Sequence, residues 1–188
     1  GKTPIEDVVG ELIRLRDEGK LRYFGLSNIK TDDISEIQPY KNFFVSCQNE
    51  FSLATRDYEK DLFNQVKRLG VTPTTWGSLG QGILTGKYNR DNINFESNDR
   101  RSRDIYVNFH GEKLNNNLQI VDELRKIASK YGKSIPACAI RFILDYISGS
   151  VVLAGVKNPS QLYSNIEAMD WNLEKEDLDK LNNISNKF

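Results

Sequence analysis

What most restricts the fold of this chain is a change of hydrophobic period that repeats along it. Four times, a stretch with apolar residues every third or fourth position gives way to a short apolar run, too brief for a helix. In the first unit Ile5, Val8, Val9, Leu12, Ile13 and Leu15 recur at helical spacing, and Gly19 offers a C-cap. Residues 21–26 follow as a strand without polar alternation, the pattern of a strand covered on both faces. Further strands are expected at 42–50, 71–76 and 150–156. Alternation of this kind predicts an α/β fold of parallel βαβ units, with right-handed crossovers and helices covering the sheet.

Local signals set the expected boundaries. Thr3 reads as an N-cap with Pro4 at the first helical position. Thr31-Asp32-Asp33 opens a second helix that Pro39 ends. A third, over 56–69, carries Leu62, Phe63, Val66 and Leu69 on one face and stops at Gly70. Helical periodicity returns over 114–131, again after Ser134 and Pro136, briefly after Asn158, and finally over 174–184 with a cap near Asn172. Two features fit less easily. Pro73 interrupts a strand that needs its N–H for the ladder, and residues 89–103 are polar and read as a long surface loop.

Four strands are too few to close an eight-stranded barrel, which needs ~250 residues. The 188 residues therefore form either an open four-stranded sheet or half a barrel, one incomplete domain over 1–188. Lysine plus arginine and aspartate plus glutamate balance at 26 each, which argues against a nucleic-acid or anionic-membrane partner. No apolar run approaches the roughly 20 residues of a membrane span, and the opening Gly-Lys-Thr-Pro lacks a signal-peptide core. Cys47 and Cys138 lie in apolar segments without metal-ligand spacing; they read as reduced core residues, with a disulfide as the lesser alternative. A cytoplasmic protein is the expectation.

Ser27 and Asn28 end the first strand, where parallel α/β folds bind ligands, although both are also common helix caps. Gln48 and Glu50 tip the second strand. Trp76 ends the third and is followed by a turn rich in glycine. Arg100, Arg101 and Arg103 read as a solvated cluster with a phosphate contact as their rival role, and His110 reads as structural or exposed.

Four ordered motifs give the chain a resemblance to the C-terminal part of an aldo-keto reductase. They are Glu18-Gly-Lys-Leu-Arg-Tyr-Phe-Gly-Leu-Ser-Asn28, Gln48-Asn-Glu-Phe-Ser-Leu53, Leu79-Gly-Gln-Gly-Ile-Leu-Thr-Gly-Lys-Tyr88, and Gly155-Val-Lys-Asn-Pro-Ser-Gln161 with Asn165. The resemblance covers essentially the whole chain. It implies part of a TIM-type (β/α)8 barrel, four parallel strands with flanking helices, and reduction of small aldehydes and ketones with NADPH. Position by position it implies that Ser27, Asn28 and Gln48 hold the nicotinamide carboxamide, and that Trp76 stacks where the family usually has tyrosine. Leu79, Gln81 and Gly82 would line the pyrophosphate channel. Gly155, Lys157, Gln161 and Asn165 would hold the adenosine end, Lys157 meeting the 2′-phosphate. The family's Tyr-Ser-Pro-Leu is Trp76-Gly77-Ser78-Leu79 here, and Ala154 stands where a proline commonly precedes the glycine.

The family's catalytic aspartate, tyrosine, lysine and histidine fall in the first half of the barrel, ahead of every motif matched here. No catalytic residue is therefore assigned in this chain. Two functional classes follow. The chain is part of a reductase completed by a missing N-terminal half, or it is an inactive half barrel that acts as a binding or structural module and dimerises through two open edges and an apolar inner face.

Overall fold

The computed structural model describes residues 3–90, 93, 95–96 and 98–187. Helix α1 (Ile5–Asp17) begins after Pro4, which occupies the N-cap position without a side-chain hydrogen bond, so Thr3 is not the cap. At its other end Gly19 takes φ 73°, the Gly19 N–H donates to the Arg16 carbonyl and the Lys20 N–H to that of Leu15. That paired arrangement is the glycine-terminated helix stop. Strand β1 (Phe24–Ser27) starts three residues later than the sequence pattern indicates.

Thr31–Asp33 forms a 3-10 turn leading into α2 (Ile34–Ile37), a single α-helical turn. Pro39 does not end the helical path; it sits at the start of a second 3-10 segment, Gln38–Phe43, where its missing N–H costs nothing. Then come β2 (Phe44–Glu50), α3 (Glu59–Leu69) and β3 (Thr72–Trp76), with α3 closed by Gly70 at φ 68°. Beyond the turn after β3 lie α4 (Gly111–Tyr131), α5 (Ile135–Tyr146), β4 (Val151–Val152), α6 (Pro159–Ile166) and α7 (Lys175–Asn186). Ser134 caps α5 and Asn158 caps α6 through their side-chain oxygens. Glu174, not Asn172, precedes α7; the Asn172 amide instead donates to Asp145 at 2.6 Å.

The strands form one sheet in the order β1-β2-β3-β4, every neighbouring pair parallel. Pro73 does not interrupt it. Thr75 turns its carbonyl to β4, accepting from the Leu153 N–H at 2.9 Å, and Pro73, two residues earlier, faces the same way below the level at which β4 begins pairing. The absent N–H falls where there is no ladder partner.

Register divides the sheet into two unlike faces. Leu26, Cys47 and Pro73 share one cross-strand row, and Asn49, Thr75 and Val152 the next; all but the half-buried Val152 are buried against the helical layer. On the opposite face Ser27, Gln48, Thr74 and Val151 form a row, flanked by Ser46–Thr72 and Glu50–Trp76. These residues are exposed or half-buried. The strands are therefore not covered on both faces, and the open face is mostly polar rather than apolar. Gly25 is required within it: a Cβ there would stand 2.3 Å from Ser46 Oγ and 2.8 Å from the Ser46 carbonyl oxygen.

The core lies between the sheet and the helices, with Phe51, Leu62, Phe109, Leu124, Phe142 and Leu181 among its fully buried side chains. Arg56 ties the last helix to it. Its guanidinium grips Glu59 with two bonds of 2.8 Å, donates to Asn182 and Ser185 of α7 at 2.9 and 3.2 Å, and sits 4.9 Å from the Phe51 and Tyr146 ring centres. Both cysteines are free and buried, and burial pushes their thiols up to about 11 for Cys47 and about 12 for Cys138. Among the described residues no helix is long and apolar enough to cross a membrane.

Candidate functional site

A cleft of about 980 Å³ opens beside the C-terminal ends of β3 and β4. One wall is the end of β3 and the turn after it, with Trp76, Leu79, Gln81 and Gly82. The facing wall is the segment between β4 and α6 and the first turns of α6, with Gly155, Lys157, Gln161 and Asn165. Ser27, Asn28 and Gln48 lie off the cleft on the open sheet face. Asn28 joins the two regions, because its Oδ1 accepts from Trp76 Nε1 at 3.0 Å and its N–H donates to the Gln48 carbonyl at 2.9 Å.

The turn at 77–86 takes its shape from left-handed backbone. Gly77, Gly80, Gly82 and Gly86 have positive φ, and so does Gln81, at 54°. Gln81 stays there because both ends of its amide are held: Nε2 donates to Glu50 Oε1 at 3.2 Å, and Oε1 accepts from Asn108 Nδ2 at 2.7 Å. Burial pushes the Glu50 carboxyl above the ordinary carboxylate value; the bond from Gln81 opposes this and the charge of Asp57 adds to it.

At the α6 end, Gln161 Oε1 accepts from the Lys157 N–H at 2.7 Å and the Gln161 N–H donates to Asn158 at 3.0 Å. The loop carrying Lys157 is thereby fastened to the start of α6, the positive end of that helix's dipole. Asn165 is nine-tenths buried, lines the cleft, and leaves its Nδ2 without a partner. A buried donor in that state is costly unless a ligand accepts from it.

A third wall includes Asp99 and Tyr106, which sequence reasoning did not single out, beside Arg100 and Arg101, which it read first as solvated. Tyr88, Asp99, Arg100, Arg101 and Tyr106 border the cleft. Arg101 donates to Asp99 through Nε at 2.8 Å, bonds the Tyr88 hydroxyl, and stands 4.8 Å from the Phe95 ring centre. The rings of Tyr88, Phe95 and Phe109 meet edge to face at 5.2 to 5.8 Å. Arg101 is therefore not a solvated loop residue; with Phe95 and Asp99 it ties the 89–103 stretch to the core, while Arg100 and Arg103 stay exposed. Residues 91, 92, 94 and 97 of that stretch lie outside the described ones. Arg101 holds Asp99 well below the ordinary carboxylate value. His110 pins the same segment: its Nε2 faces the Arg101 and Arg103 carbonyl oxygens at 3.0 and 3.1 Å, so that nitrogen carries the proton and donates. The aromatic spacing was the readable signal for this wall; the polar composition of 89–103 obscured it.

Residues 1–186 match the profile of the Aldo/keto reductase family. The chain belongs to that family. An aldo-keto reductase of Bacillus subtilis, YhdN, is 31% identical over 183 residues, covering 97% of this chain and 54% of its own length. The NADH-specific methylglyoxal reductase of Escherichia coli is 27% identical over 93% of this chain and 52% of its own. Among solved structures, the glycerol dehydrogenase AKR11B4 of Gluconobacter oxydans superposes with a TM-score of 0.85 at 31% identity, over 98% of this chain and 55% of that one. This aldo-keto reductase chain thus spans about half the length of the relatives it matches.

Proposed function

We propose that the chain is the cofactor-side half of a barrel that reduces small aldehydes or ketones with NADPH, the other four strands and the proton donor being contributed by a first half. The observation that carries this reading is the two-ended cleft. At one end an indole stands at the sheet tip, and at the other a lysine precedes a helix N-terminus beside a buried unpaired amide donor. A nicotinamide dinucleotide has complementary parts: a flat ring, a diphosphate, and an adenine whose ring nitrogens accept hydrogen bonds.

In this reading Trp76 offers a stacking face, and its bond to Asn28 fixes the plane of the indole. Ser27, Asn28 and Gln48 supply the donors and acceptor that an amide edge requires. The left-handed backbone at Gln81 and Gly82 lets main-chain groups approach the diphosphate. Lys157 meets the 2′-phosphate, and Asn165 donates to adenine through the otherwise unpaired Nδ2. When bound, NADPH supplies the hydride that converts a carbonyl to an alkoxide. The alkoxide needs a proton, and none of the eleven residues assigned here is placed to give one. The open β1 and β4 edges and the polar open face are the surfaces a first half barrel would cover. A stand-alone module that pairs with a second copy would use the same edges, without the apolar face that would drive it. The reading includes a cytoplasmic setting, with which two buried free cysteines are compatible.

Titrating the chain with NADPH, followed by quenching of tryptophan fluorescence, tests the binding half of this reading. Saturable binding that favours NADPH over NADH supports it; no binding of either dinucleotide overturns it. Turnover is tested by adding a first-half segment of a related reductase in trans and following NADPH absorbance with a panel of aldehydes.

A further inference from the structure

Gln81 lines the cleft by sequence position, yet its side chain is committed elsewhere. Its amide bridges Glu50 at the tip of β2 and Asn108 in the 3-10 turn before α4. Asn108 is 3% exposed and is itself held, since Asn117 Nδ2, wholly buried on α4, donates to both its carbonyl oxygen and its Oδ1 at 3.1 Å. A continuous line of hydrogen bonds therefore runs from the helical layer through the turn to one carboxylate on the open sheet face. Only the Glu50 end of that line can change its state. An ionised carboxylate accepts only and suits the Gln81 donor, whereas a protonated one loses the charge that strengthens the bond.

We infer that Glu50 is a positioning residue: its carboxylate, acting through Gln81, sets the left-handed turn at 80–82 and so the affinity of the cleft for the diphosphate of a dinucleotide. This rests on the cofactor reading above. The turn cannot hold that shape by glycine alone, because Gln81 itself sits at φ 54° between Gly80 at 54° and Gly82 at 104°. Space around the carboxylate is also tight. A Cβ on Gly77 would lie 2.9 Å from Glu50 Oε1, so the turn is built closely over that oxygen. The groups facing Glu50 are Trp76 on β3, Gly77 and Gln81 on the turn, and Asp57 on the segment after β2; of these Asp57 alone is charged, and it raises the Glu50 pKa, as burial does.

The test compares wild type with Glu50→Gln and Glu50→Ala. Glu50→Gln keeps an acceptor oxygen but carries no charge. Two readouts are needed. In the ligand-free protein, amide-exchange protection is measured at Gly80 and Gly82, whose N–H groups donate to the carbonyls of Gly77 and Leu79 at 2.7 and 2.9 Å. Wild-type protection is expected to fall several-fold as pH drops through the raised Glu50 pKa, with no such step in Glu50→Gln. In the second, NADPH affinity is followed against pH for both proteins, and the ligand's own phosphate titration cancels in the difference. Wild type is expected to bind several-fold more tightly than Glu50→Gln at neutral pH and to converge with it in acid, and Glu50→Ala to bind about tenfold more weakly at an unchanged melting temperature. Identical protection and identical pH profiles in wild type and Glu50→Gln would overturn the inference. If NADPH does not bind wild type but the protection step is present, the cofactor reading fails and the positioning role stands.

Discussion

The indole of Trp76 and the amide of Asn28, 48 residues apart in sequence, meet at 3.0 Å across the ends of β3 and β1. Asn28 holds φ 54°, a conformation that costs an ordinary side chain ~1–2 kcal/mol. Asn28→Ala is expected to lower stability in urea by about 1–2 kcal/mol, and Asn28→Gly by less, because glycine keeps the backbone. Trp76→Phe keeps a ring but no donor. A cycle of Trp76→Phe and Asn28→Ala that shows no coupling energy would remove the bond as a cause.

Lys157 carries the preference between the two nicotinamide dinucleotides in the proposed function. Lys157→Ala is expected to weaken NADPH about tenfold, the scale of one charge-assisted bond, and to leave NADH within twofold. Equal losses for both dinucleotides, in calorimetric titration, would place the lysine elsewhere.

Arg56 and Glu59 supply a pH prediction. Burial pushes Glu59 up, but the Arg56 fork and the Tyr146 hydroxyl outweigh it and leave the carboxyl below its ordinary value. A carboxylate depressed in the folded state stabilises above its unfolded value of about 4.3 and loses that contribution as pH falls through the folded one. Wild type should lose stability below pH ~4 more steeply than Glu59→Gln, read from urea midpoints. Arg56→Ala is expected to cost about 3 kcal/mol at neutral pH, since it strands Glu59 and releases α7; a loss under 1 kcal/mol would show the clasp to be incidental.

The two thiols are predicted to be inert in the folded protein. Burial keeps Cys47 near about 11 and Cys138 near about 12, so neither forms much thiolate at neutral pH. Labelling with iodoacetamide should proceed only with unfolding. Stoichiometric labelling of native protein at pH 7 would contradict their burial.

Much of this architecture was legible because its signals are local. Ser134 and Asn158 announce α5 and α6 through caps that each bond an N–H three residues on, and Gly70 ends α3 as glycine should. What escaped was set at a distance. Pro39 could continue a helical path because the following turn is 3-10, and Asn172 serves Asp145 of α5 rather than its own helix. At β4 only Val151–Val152 pair, since an edge strand has one neighbour and the chain then leaves for the cleft. Eight of the eleven candidate residues line one cleft. The bridge from Gln81 to Asn108 spans 27 positions and joins two amides, a pairing that no periodicity records.

The hydrophilic character of the sheet's uncovered side, with serine, threonine and glutamine lying row upon row, bears on how such a chain behaves on its own in water. Water can wet those rows directly, so little drives that side to bury itself against a stranger. The hazard lies instead at the two flanks, where backbone groups stand ready to accept another ribbon. Whatever docks there is chosen by direction and register, and a Lys or Pro placed on either flank would discourage wrong unions without disturbing the cleft.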